Sequence, residues 1–348
     1  MTFRSYCIVS ANDEKIICSL LQGNNIITFS PDPTNRFWQN PDGIGTLTYR
    51  HGEKDRKPIT NDIKMCEVIF NTEDEEVANR ILSTIQVGML LAYPYPEGAQ
   101  SYLKVDEITQ EFNEAIYFED WYSQRFYKPE DFTFGVLVWT VAKNNPTLLY
   151  ALEKYKLSLA LESITPHSAQ PKYGQIVSNY RAEYSYHTRA SFAIISAFSS
   201  IEEMGLEIRS SSKKPRFINK DTGMWNPLVY EDISQRLAAI QISSNDSIDW
   251  IYRGKPTPVE DKLNPYFGID SEWVDGKTVR DKALTYPEAI HNASYLRNFI
   301  AAHKFNELTE FISPYDIFNV QSLVRMLILK KMRLWDTIRQ RHRCKLRY

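Results

Sequence analysis

The sequence contains no pair of cysteines placed to share a metal ion or a local disulfide. Cys7, Cys18, Cys66 and Cys344 are scattered, and no CxxC occurs. That distribution fits reduced thiols in a cytoplasm better than a disulfide framework or a zinc site. Long apolar runs are missing as well. The strongest, Phe134 to Ala142, is far shorter than the about 20 residues a bilayer span needs, so no membrane partner is expected. The opening MTFRSYCIVSANDEK turns polar after a few residues, which argues against a secretory signal. Neither sign of charge dominates: 41 Lys and Arg stand against 43 Asp and Glu. No P-loop, GxGxxG, GxSxG or HExxH is present, and no cofactor is expected. His51, His167, His187, His291 and His342 stand at no metal-ligand spacing. Internal repeats and low-complexity segments are absent, and the bulk composition is that of an ordinary globular protein.

What is present is a chain of 348 residues, long enough for two cores. The expected class is α+β: a mixed α/β domain over residues 1–125, then an all-α bundle over 126–348. In the first part, Ser5–Ser10, Lys15–Leu21, Asn25–Phe29, Thr46–Tyr49 and Met65–Phe70 read as short strands between turn signals. Asp74–Thr84 reads as a helix, with Gly88–Ala92 and Tyr102–Val105 as further strands. From Asp131 the apolar spacing becomes helical, over Asp131–Lys143, Thr147–Ile164, Arg181–Leu206, Tyr230–Ile242, Thr285–Ala302 and Ser313–Ile338. Ala190, Ile194, Ala197, Phe198 and Ile201 form one stripe on the best of these helices.

Charge is unevenly placed. Between Arg325 and the C-terminus, nine Lys and Arg face only Asp336. Such a run either attracts phosphate backbones or simply complements a helix C-terminus. Trp225, Trp250 and Trp273 suit either base stacking or burial as aromatic anchors. Glu260-Asp261-Lys262 and Asp281-Lys282 have the look of metal-nuclease fragments, but solvated loop charge explains them more simply.

The helix Thr285–Ala302 carries a more specific pattern. Wound at about 100° per residue, Ala289, Ala293, Leu296 and Ile300 cluster within about 60° as a buried stripe. Arg297 falls about 80° to one side and His303 about 40° to the other, separated by about 9 Å of rise. Asn298 faces away. A guanidinium and an imidazole at the edges of one buried face suit RNA cleavage. Histidine moves protons near neutrality, while arginine holds phosphate oxygens with a planar fork. No metal is needed if the substrate's 2′-hydroxyl is the nucleophile. A satisfied core histidine and a salt-bridged arginine would explain the same pair.

Arg297-Asn298 followed by four residues and His303 resembles the arginine-x(4 to 6)-histidine motif of HEPN ribonucleases. Thr188 to Arg209 is similar to the first long helix of the ApeA-like HEPN group. Pro215 to Pro227, Trp250 to Gly254 and Val279 to Asp281 are similar to its intervening segments, and Ser313 to Gln321 to the start of its last helix. The resemblance covers about residues 130–335 in the expected order. It implies a metal-independent endoribonuclease acting on RNA as a homodimer or higher oligomer, serving as a toxin or antiphage effector. It further implies catalytic roles for Arg297 and His303, a polar supporting residue at Asn298, and an acidic residue from the first long helix. For that last place Glu202, at the stripe's edge, is preferred over Glu203. A regulatory trigger or partner would act through residues 1–125. The contrasting reading is a non-catalytic RNA-binding or dimerisation scaffold.

Overall fold

The computed structural model describes residues 3–31, 63–92, 129–162, 184–252, 280–301 and 314–339. Helices dominate, with few short strands. The described residues fall into two compact units, one ending at Asn144 and the other beginning at Asn145. Thr46–Tyr49, Tyr102–Val105, Glu260-Asp261-Lys262, Trp273 and His303 lie outside the described residues.

The first unit is built on a three-stranded antiparallel sheet, β1 (Phe3–Ser10), β2 (Ile27–Pro31) and β3 (Ile63–Phe70), in the order β1-β3-β2. Its register pairs Phe3 with Phe70 and Cys7 with Cys66 across β1 and β3. Lys15–Leu21 is not a strand: α1 (Ala11–Leu20) follows β1 directly. Asp13, Ile17 and Leu21 are buried while Ile16 is exposed, a four-residue period that a short apolar run does not reveal by itself. Gly88–Ala92 is likewise not a strand, because α2 continues from Glu75 to Leu91. Its start is fixed by Asp74, whose carboxylate accepts from the backbone N–H of Glu76 at 2.9 Å and of Val77 at 3.3 Å.

Helix α3 (Pro129–Ala142) packs on α2 within this unit, so the described boundary falls after Asn144 rather than at the expected 125. The reason is a close helix crossing. A Cβ added at Gly88 would stand 2.7 Å from the Cα of Gly135, and one added at Gly135 would run into the carbonyl oxygen of Ile85. The hydrophobic core joins Phe3, Val68 and Phe70 of the sheet to Ile81, Ile85 and Met89 of α2 and to Phe132, Val136 and Trp139 of α3. Gly135→Ala tests the crossing, because two effects oppose each other. Helix propensity favours alanine by about 1 kcal/mol, whereas forcing a methyl into a close-packed contact costs typically about 1–3 kcal/mol. The obstacle is backbone, which cannot swing aside, so a net loss of stability is expected. Urea denaturation showing a variant as stable as the parent would contradict the crossing.

The second unit is not all-helical as expected. Helices α4 (Pro146–Leu161) and α5 (Tyr184–Glu203) form its main pair. A hairpin, β4 (Phe217–Asn219) with β5 (Met224–Trp225), leads into α6 (Pro227–Ala239). A second antiparallel pair joins β6 (Ser247–Tyr252) to β7 (Arg280–Thr285). In β6 Trp250 is buried and Asp249 exposed; in β7 Leu284 is buried and Ala283 exposed. That alternation is a strand period, but the partner strand is distant in sequence. Asp281 and Lys282 therefore sit in a strand, opposite Ile251 and Trp250, and not in a loop.

Three serine hydroxyls join α4 to α5: Ser158 to the carbonyl of Ala193 at 2.8 Å, Ser196 to Lys154 at 2.7 Å and Ser200 to Ala151 at 2.7 Å. The expected stripe Ala190, Ile194, Ala197, Phe198 and Ile201 is buried. Helix α8 (Pro314–Lys331) closes the unit. Gln321 on it donates to the Ser158 hydroxyl at 2.9 Å and the Glu162 carbonyl at 2.7 Å. Asn319 exchanges two 2.9 Å bonds with the backbone of Ile251, fixing β6 against the same helix. Ser313–Ile338 is not one helix. Arg333 takes φ 61°, and the N–H of Leu334 closes onto the carbonyl of Leu329 at 2.8 Å, ending α8 before a last turn at 335–339. No helix among the described residues is long and apolar enough to cross a membrane.

Candidate functional site

The helix bearing Arg297 begins where β7 ends. Thr285 caps α7 (Tyr286–Tyr295), with Pro287 in the first turn. The Glu288 carboxylate accepts from the Thr285 N–H at 2.8 Å and from its hydroxyl at 2.7 Å, a reciprocal cap that fixes the helix start. Ala289, Ala293 and Leu296 are buried as the wheel requires. Beyond Tyr295 the winding changes. Leu296–Ala301 is a π-helix, whose i→i+5 turns hold more residues than the 3.6 of an α-helix and recur at functional sites. The 100° wheel therefore fails past Leu296.

Asn298 departs from the wheel. It does not face away. It is half-buried, its Oδ1 accepts from Nη1 of Arg297 at 2.7 Å, and its Nδ2 reaches the hydroxyl of Ser294 at 3.3 Å. Arg297 is also half-buried, with 34% of its side chain exposed and Nη2 at 3.7 Å from the carboxylate of Glu202. Its Nε is buried without a hydrogen-bond partner among the described residues.

Of the two acidic residues, Glu202 meets Arg297 while Glu203 pairs with Lys154 at 2.6 Å. The other oxygen of Glu202 lies 3.4 Å from the hydroxyl of Ser199. The position of Glu202 follows from how α5 ends. Gly205, at φ 72°, terminates the helix, and the N–H of Leu206 returns to the carbonyl of Ile201 at 3.2 Å. Arg236 of α6 holds this end. It donates to the carbonyls of Gly205 and Glu207 and pairs with Asp232 at 2.6 Å. Lys331 of α8 adds a 3.0 Å bond to the carbonyl of Met204.

A second guanidinium stands beside this group. Arg216 precedes β4, and its carbonyl accepts from the N–H of Asn226 at 2.9 Å across the base of the hairpin. Its Nη2 is 3.4 Å from the hydroxyl of Ser294. Burial pushes the Arg216 guanidinium down to about 10, below its ordinary range, which still leaves it charged at neutral pH. The neighbouring residue Phe217 packs with Trp225 at 5.3 Å and, edge-on, with His291 at 5.3 Å. Trp225 also meets that imidazole edge-on, at 5.6 Å. Burial, reinforced by the charge of Arg216, holds His291 well below the ordinary histidine range, so its ring is neutral.

Sequence reasoning singled out Arg297, Asn298 and Glu202, and the structure brings these three together; His303 lies outside the described residues. It missed Arg216 and Ser294, which reach the group from a hairpin and from one turn upstream. The only signal for Arg216 was an arginine set among aromatic and apolar hairpin residues. Of the tryptophans, Trp250 is a buried anchor and Trp225 belongs to the aromatic cluster. Part of the cationic end is committed internally: Arg325 is buried, where its charge acts on Tyr155, and Lys331 caps α5.

The arrangement can hold an anion. Two guanidiniums lie on one hydrogen-bonded path through Ser294 and Asn298, and only Arg297 has a carboxylate within ion-pair distance among the described residues. Comparison of the chain with protein-family models, with curated proteins and with solved structures found no match.

Proposed function

We propose that the protein is a metal-independent endoribonuclease of the HEPN type, with Arg297 and His303 as its cleaving pair and the second unit as a HEPN-like helical bundle. The observation that carries this reading is the setting of Arg297. Its guanidinium is half-buried on a π turn and steadied by Asn298; among the described residues its buried Nε has no partner and it makes a single, loose carboxylate contact. An arginine kept only for stability would form closer and more numerous bonds. One held by its neighbours with donor capacity to spare suits an incoming phosphate. Asn298 sets the plane of the fork, and Glu202 keeps the guanidinium from swinging out before substrate arrives.

The chemistry follows from the residue types. The substrate's 2′-hydroxyl loses its proton to a base as its oxygen attacks phosphorus, and the 5′-oxygen leaves with a proton from an acid. The cyclic phosphate and the 5′-hydroxyl account for every atom, with no water consumed. Histidine suits both proton transfers, and arginine stabilises the charge that builds on the phosphorane oxygens. Purified full-length protein incubated with total RNA in EDTA tests the assignment: cleavage is expected, and its absence would refute it. A role as a toxin or antiphage effector, regulated through the first unit, is part of the same proposal.

One copy supplies one such arginine and one such histidine, so a second set must come from a symmetry mate if acid and base are separate residues. The protein is therefore expected to be at least a dimer, with the helices bearing Arg297 adjacent across the two-fold axis. Light scattering at micromolar concentration reads this directly. A monomer with full nuclease activity would contradict it.

A further inference from the structure

We propose that Arg216 is a second phosphate-binding residue of this site, taking a backbone phosphate of the RNA beside the one engaged by Arg297. The proposal rests on the ribonuclease reading above and extends it to substrate binding.

Three observations carry it. Arg216 is placed, not free: the backbone bond to Asn226 at 2.9 Å and the packing of Phe217 against Trp225 and His291 fix where its side chain starts. Its fork is tethered to the Ser294 hydroxyl, which also meets Asn298, the partner of Arg297. The two guanidiniums thus belong to one connected group. Finally, Arg216 has no carboxylate within ion-pair distance among the described residues, although it is half-buried. A desolvated charge without a counter-ion is a burden on the fold. Another arginine of this unit, Arg236, shows the contrasting pattern, with Asp232, Glu207 and three carbonyls around it. Arg236 is a structural arginine. Arg216 is arranged as a receptor for an anion that arrives from outside.

The nearby charge balance agrees. Arg216 and Arg297 together exceed Glu202 by one positive charge, and His291 adds none because its ring is neutral. The partial burial of Arg216 lowers the local dielectric and strengthens its attraction for phosphate. Because it does not touch the reacting atoms, Arg216 should act on binding more than on the chemical step.

Arg216→Met in the full-length protein makes the decisive variant, since methionine fills much of the same space without charge. Three measurements are made on it and on the parent: melting temperature, steady-state cleavage of an RNA oligonucleotide, and binding of a fluorescein-labelled 2′-O-methyl oligonucleotide by anisotropy across a salt series. The variant is expected to melt at or near the parent temperature, because an unpaired, half-buried charge has gone. KM should rise about tenfold or more with kcat little changed, and the slope of log affinity against log salt should be shallower by about 0.7. If the parent cleaves RNA and the variant matches its KM and salt slope, the proposal falls while the ribonuclease reading stands. If the parent does not cleave, that reading falls. The anisotropy series then decides Arg216 alone: tenfold weaker binding by the variant supports it, and equal binding or none overturns it. A variant that melts well below the parent or fails to fold shows a structural arginine and also overturns the proposal.

Discussion

Arg297→Ala is expected to lower RNA cleavage by at least about a hundredfold while leaving the melting temperature nearly unchanged. Both halves of that statement come from the geometry. The ion pair with Glu202 is 3.7 Å long, and its partners are 34% and 36% exposed, so its loss should cost no more than about 1 kcal/mol of stability. The bond to Asn298 joins adjacent residues on one turn and ties no distant elements together. Catalytically the same side chain is asked to stabilise charge that exists only in the transition state, where one donor is typically worth about 10²–10³ in rate. His303→Ala should lose at least about a hundredfold through the missing proton carrier. Cleavage assays paired with circular-dichroism melts separate the two effects. A soluble, normally melting Arg297→Ala protein that cuts RNA at the parental rate would remove the assignment, and one that unfolds would make Arg297 a structural residue.

The second large effect concerns the substrate. An oligonucleotide with a single 2′-O-methyl group at the scissile position should not be cut at all, and DNA should be equally inert, because each lacks the nucleophile. Cleaved RNA should carry a 2′,3′-cyclic phosphate and a 5′-hydroxyl, and the reaction should continue in EDTA. Mass spectrometry of the products decides this without ambiguity, since the cyclic ester is lighter than the open phosphate by one water. A nuclease that activates water on a metal ion would leave a linear phosphate, accept a 2′-blocked substrate and stop on chelation. Cleavage of DNA, or activity that returns only with added magnesium, would overturn the mechanism proposed for Arg297 and His303.

How far these residues could be read in advance depended on how local their determinants are. Asp74, Asn145, Asn226 and Thr285 each cap a helix through bonds to residues within three positions, and such signals are written in adjacent letters. The buried stripe of α5 repeats at a fixed period, so it too is visible in one dimension. The pairing of Glu202 with Arg297 was reachable only as a choice between two neighbours, with Glu202 at the stripe's edge and Glu203 pointing outward. What separated them was Lys154 on α4, which takes Glu203.

Other features had no local signature. A π turn replaces one hydrogen-bond pattern with another over six residues, and nothing in Leu296–Ala301 distinguishes it from ordinary helix by composition. Asn298 bonds to Arg297 although the helical wheel places it on the opposite face. Helix α1 was mistaken for a strand because seven mostly apolar residues satisfy either period, and only the packing of Ile17 and Leu21 into the core settles which face is buried.

By itself the sequence determined where most helices start and which faces they bury. Those features are legible because propensity, capping and periodicity act over a few residues, whereas Arg297, Asn298 and Glu202 were grouped by the resemblance to HEPN ribonucleases and not by any local pattern. Only the tertiary structure decided that α3 joins the first unit through the Gly88–Gly135 crossing, that Cys7 and Cys66 stand opposite each other, and that Arg216 reaches Ser294 across 78 residues of chain. Those are contacts between segments whose separation in sequence carries no information about their distance in space, and they form only when both partners have already been folded into place.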